Sequence, residues 1–147
     1  MNRAIRYIAF TSIIAVVVWS AACNSGASSG TSPDTGKTIK SGPAGNNLTV
    51  TVSNADGVVR KGKQNLTIVF SDAAGKPVDV GAASVNFFMP AMGSMSAMNN
   101  PVTLTTTATP GIYSGSVNLD MTGEWQAQIT YEGPAGKGKA TLPISEQ

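Results

Sequence analysis

The 147-residue chain has no histidine and a single cysteine, Cys23. Those two absences exclude much chemistry. Triads of the serine or cysteine hydrolase kind need an imidazole base, zinc sites draw on clustered Cys and His, and thiol redox pairs need two thiols. Charge is scarce too, at 12% of residues. Asp56, Asp72 and Asp79 sit in turn-like contexts, where Asp is the ordinary choice. Asp120 and Glu124 flank Gly123 at an expected turn and read as solvated charges. The run Gly133-Pro134-Ala135-Gly136-Lys137-Gly138-Lys139 lacks the spacing and the following helix of a phosphate loop. The expectation is a non-enzyme. Arg60-Lys61-Gly62-Lys63 reads as a solvated loop, and no basic stripe supports nucleic-acid binding. No stretch carries helical periodicity of useful length.

The first 22 residues read as a secretory signal. Arg3 and Arg6 precede an apolar run from Tyr7 to Trp19, which is too short and wrongly flanked for a membrane-spanning helix. Ala21-Ala22-Cys23 then resembles the lipobox of bacterial lipoproteins, in which the cysteine is lipidated and becomes the first mature residue. Ser20 stands where leucine is usual, and Ser20 with Ala22 also fits ordinary small-x-small cleavage at the same bond. The resemblance implies lipidation at Cys23 and an extracytoplasmic protein held at a membrane in the cell envelope. Asn24, rather than aspartate, points to the periplasmic face of the outer membrane. From Cys23 onward the chain has eight basic and eight acidic residues, so the overall pI of 8.8 reflects the signal.

Residues 24–46 read as a tether. Fifteen of the 23 are Gly, Ser, Thr or Pro, and Ile39 is the one large apolar side chain. As a flexible coil such a segment would reach about 25 Å. Residues 47–147 then alternate as strands do. Leu48, Val50 and Val52; Leu66, Ile68 and Phe70; Ala83, Val85, Phe87 and Met89; and Trp125, Ala127, Ile129 and Tyr131 each fall on one face, with turn residues between. Met121 is in phase with Val117 and Leu119 and is expected to point inward. Some seven strands in about 100 residues predict an all-β immunoglobulin-like sandwich, with Tyr113 and Trp125 in its core.

Four of the six methionines, Met89, Met92, Met95 and Met98, recur every third residue between Phe88 and Asn99. Pro90 biases Met89 toward extended backbone, and Gly93, Ser94, Ser96 and Asn99 are poor helix residues. The expectation is a strand ending near Met89 and running into a loop, with one 3₁₀ turn admitted, in which several sulfurs converge on one point. Thioethers are soft, neutral ligands that suit Cu(I) and carry no proton to lose. A methionine cluster also serves as pliable packing or as an adaptable contact surface, and exposed methionines oxidise reversibly. The residues leave these readings open.

Three segments together resemble the YtkA-like family, which overlaps the FixH-like proteins: Met89-Pro90-Ala91-Met92-Gly93, Pro110-Gly111-Ile112-Tyr113-Ser114-Gly115 and Gly123-Glu124-Trp125-Gln126-Ala127. The resemblance implies a small extracytoplasmic β-sandwich, often lipid-anchored or fused to copper-handling partners. Family members commonly carry histidine where this chain has Ser94. Its absence implies a thioether-only site, with Met92 and Met95 its foremost ligands and Met89 and Met98 its further candidates, favouring Cu(I) or Ag(I). The implied roles are copper binding or delivery to a copper-transport, efflux or oxidase-assembly protein. The competing role is a metal-free interaction domain whose methionine loop docks on such a membrane complex.

Overall fold

In the computed structural model, residues 35–145 are described; Cys23, the signal segment and most of the expected tether lie outside them. Eight strands follow one another: β1 (Lys37–Gly45), β2 (Leu48–Asn54), β3 (Gly62–Ser71), β4 (Ala82–Met89), β5 (Met98–Thr106), β6 (Ile112–Leu119), β7 (Glu124–Gly133) and β8 (Gly136–Ser145). All pairings are antiparallel, and no helix occurs among the described residues. The expected all-β sandwich is therefore present, with one strand more than the sequence pattern indicates.

The hydrogen-bonded order is β1-β2-β3-β6-β5-β4-β7-β8. Strand β5 belongs to both layers. Its first half, Met98–Val102, pairs with β4, and its second half, from Thr103 to Thr106, pairs with β6. The layer of β4, β7 and β8 can thus fold over the layer of β1, β2, β3 and β6 without a break in the ladder.

Period-two alternation explains the core. Val50 and Val52, Leu66, Ile68 and Phe70, Val85 and Phe87, Trp125, Ala127 and Ile129, and Leu142 and Ile144 are all buried between the layers. Trp125 is wholly inside and donates its indole N–H to the carbonyl of Met121 at 3.2 Å. Phe70 meets Tyr113 and Tyr131 edge-on, at centroid distances of 5.8 and 5.3 Å. Both phenols are satisfied. Tyr113 donates to the carbonyl of Gly81 at 2.7 Å, and Tyr131 donates to that of Gly45 at 3.3 Å.

Two sequence expectations need correction. Residues 37–45, taken as tether, form β1, turned into β2 by Asn46-Asn47 with φ of 52° and 57°, the double left-handed pair of a type I′ hairpin. β1 buries only Ala44 and lies against β8, where a Cβ on Gly42 would sit 2.6 Å from a Leu142 methyl. Small residues are what let this strand close the side of the sandwich. The second correction concerns Met121. Strand β6 ends at Leu119, and Met121 lies beyond it in the bend before β7, half-buried and outside the core cluster, with its carbonyl bonded to Trp125.

Candidate functional site: the methionine hairpin

Strands β4 and β5 form a hairpin whose register stays unbroken from Val85 opposite Val102 to Met89 opposite Met98. The same register continues through the intervening residues, for Met92 and Met95 form a bridge. They exchange both backbone bonds, Met92 N–H to Met95 C=O at 3.1 Å and Met95 N–H to Met92 C=O at 2.9 Å. The expected loop is thus a hairpin tip closed by a two-residue turn, with no 3₁₀ element. Gly93 has φ of 58°, while Ser94 is not among the positive-φ residues. Glycine alone at the first central position is the requirement of a type II′ turn. Between the two methionine pairs the ladder lapses, because Pro90 has no N–H to place in the rung opposite Ala97. Residues 90–97 pair with no other strand among those described.

The threefold spacing now has a geometric reading. The four methionines are mirror images about Gly93-Ser94: Met92 opposite Met95, Met89 opposite Met98. Three is an odd separation, and an odd separation along a strand turns a side chain to the opposite face. Burial follows that rule. Met89 is 2% exposed, and Met98 is half-buried against the core. Met92 and Met95 are 48% and 39% exposed, the most exposed large apolar side chains among the described residues. The sulfurs therefore separate into an inner and an outer pair instead of converging on one point. Met89 is occupied in packing: a Cβ on Gly123 would lie 3.0 Å from its Cε, so the bend before β7 sits directly over it.

The hairpin base is stiffened on its outer face. Asn86 donates to Asn99 at 3.0 Å and to Gln128 at 3.4 Å, tying β4 to its neighbours on both sides. Asn100 donates to the carbonyl of Asn118 at 2.7 Å, fixing β5 to the end of β6. This polar bracing was not anticipated from sequence, since asparagines in a strand region carry no signal of their partners.

Among the described residues, no group of three or more His, Cys, Asp or Glu is arranged to hold a metal ion. Asp120 accepts from Asn118 at 2.6 Å, and Glu124 accepts from Ser145 at 2.7 Å, so the two carboxylates flanking Gly123 are engaged separately. Cys23 falls outside the described residues. Tyr113 and Trp125 lie in the core as expected, 4% and 0% exposed.

No curated protein matches the chain. The profile of the YtkA-like family matches residues 44–130, from the end of β1 to within β7 and so across the whole methionine hairpin; the chain belongs to the YtkA-like family.

Proposed function

We propose that this protein is a copper-binding or copper-delivery module that holds Cu(I) through Met92 and Met95. The observation that carries the reading is the reciprocal hydrogen bonding of these two residues across a two-residue turn while both side chains remain exposed. Exposing two large apolar side chains side by side on a protruding tip forgoes the burial that would otherwise stabilise the fold, by about 1.5–3 kcal/mol for a fully buried methionine. Paired thioethers give that exposure a use, because they match a soft monovalent ion such as Cu(I) or Ag(I) and need no deprotonation. Met89 and Met98, the inner pair, face the core side of the hairpin and are not part of this site.

Two thioethers leave coordination positions open on Cu(I). An open, exposed site suits transfer, since an acceptor's ligands can join the ion before the methionines release it. The exposed pair also supports the second reading, a metal-free tip that docks on a membrane complex, and one substitution separates the two. Leucine keeps methionine's volume and removes the sulfur. Anaerobic Cu(I) titration of residues 24–147 against a competing chelator should show binding. Met92→Leu with Met95→Leu should abolish it with little change in apo melting temperature, and Met89→Leu should leave it intact. Unaltered Cu(I) affinity in the double variant would transfer the hairpin to the docking reading.

A further inference from the structure

Side chains that oxidants attack readily are few in this chain, and the fold buries most of those it describes. Cys23 is the single cysteine, and there is no histidine. Among the described residues, Trp125, Tyr113 and Tyr131 are buried in the core. Five thioethers remain. Met89 is buried beneath Gly123, and Met98 and Met121 are half-buried. Met92 and Met95 are the two that are exposed. Composition and burial together concentrate oxidant reactivity on one pair, because attack on sulfur follows its accessibility.

The pair also stands clear of the sandwich. β7 runs beside β4 with Gln126 opposite Phe88, and it begins two residues earlier at Glu124, where β8 ends opposite it at Ser145. On the other side, Asn100 bonds to Asn118, one residue before β6 ends. The tip beyond Pro90 therefore extends past both neighbouring strands. Oxidation to the sulfoxide turns a flexible apolar side chain into a polar one. At Met89 that change would set a polar S=O group among apolar core side chains, at a cost to the fold. At Met92 and Met95 the new oxygen meets water. The turn between them is held by their two backbone hydrogen bonds, which the side-chain chemistry leaves alone.

We propose that Met92 and Met95 form a paired sulfoxidation site, through which peroxide disables the metal-holding tip while the fold stays intact. Each sulfur attacks one oxygen of the peroxide. The S–O bond forms as the O–O bond breaks, and the departing hydroxide takes the proton of the transferred hydroxyl to leave as water. The thioether is oxidised by two electrons and the peroxide is reduced by two. A sulfoxide presents a hard oxygen in place of the soft thioether sulfur, so the match to Cu(I) is lost. The reverse step takes two electrons from a dithiol, which becomes a disulfide, and the sulfoxide oxygen leaves as water. An exposed tip is open to an enzyme that catalyses this reversal. The loss of metal rests on the copper reading above; the position of the oxidation does not.

The test treats metal-free residues 24–147, which retain all eight strands, with limited hydrogen peroxide and locates the added oxygens by tandem mass spectrometry. The expected first product carries one oxygen on each of Met92 and Met95, with Met89, Met98 and Met121 unmodified, and it melts as the untreated chain does. Anaerobic Cu(I) titration against a competing chelator should show binding by the untreated chain and its loss in that product. Methionine sulfoxide reductases of both epimer specificities, with dithiothreitol that is then removed, should restore the original mass and the binding together. Oxygen at Met89, Met98 or Met121 as early as at the tip, a clear fall in melting temperature, or undiminished Cu(I) binding by the doubly oxidised chain would each overturn the proposal. An untreated chain that binds no Cu(I) would instead overturn the copper reading, and the loss of metal with it, while the oxygen positions still decide the modification site.

Discussion

At the scale of single residues, Trp125 and Tyr113 carry most of what can be tested. Trp125 has no exposed surface, and its one polar group is bonded to Met121. Trp125→Ala should cost about 3–5 kcal/mol, read from denaturant unfolding, because truncation leaves a cavity that the surrounding strands cannot fill. Tyr113 makes a pH prediction. Burial, and secondarily the negative charge of Asp79, raise its phenol above the ordinary value of 10.0. Below pH 10 the phenol is neutral whether the chain is folded or not. As the pH climbs past that point, the unfolded chain releases a proton that the folded chain keeps. The unfolded state then binds fewer protons, and stability falls toward the raised folded value. Tyr113→Phe should lower stability at neutral pH by about 1 kcal/mol through the lost bond to Gly81, and should flatten the alkaline fall in a series of melting temperatures above pH 10.

At the scale of elements, β1 is the strand to test. It covers the backbone edge of β2 and brings Ala44 and Gly42 against β8. A chain starting at residue 47 would leave that edge unpaired and Leu142 uncovered, and should melt lower than residues 24–147 by about 10 °C or more, equivalent to about 2 kcal/mol. The same strand shows where sequence reading fails. Strands β2, β3, β4 and β7 were legible because each alternates at least three large apolar residues with polar ones. β1 has a single buried side chain, and its fit depends on Gly42 and Gly138 being small, which in a sequence looks like a linker. The local signal that marks it is Asn46-Asn47, a pair suited to two successive left-handed residues. The methionine hairpin failed for a related reason. Its four residues and their spacing were visible, but a loop was expected there in which the sulfurs converge on one point. Symmetry about Gly93-Ser94 was the informative property, and it separates the sulfurs into two pairs on opposite faces.

At the scale of the whole molecule, the chain enters and leaves side by side. Ile39 and Lys40 of β1 share a small recess with Ile144 and Ser145 of β8, so Lys37 and Ser145 end at the same pole. The consequence is a closed circuit. Joining residue 145 to residue 37 by a short glycine-rich bridge and opening the exposed turn at Ala74 would give a circular permutant with every strand pairing retained. Its melting temperature should fall by no more than the 4–8 °C that about 1 kcal/mol represents in a domain of this size, with the near-ultraviolet signal of Trp125 preserved. Loss of that signal would mean that the existing order of strands is needed to assemble the sandwich. For the same reason the domain can be spliced into a surface turn of another protein without stretching its host, leaving the methionine tip free beside the splice.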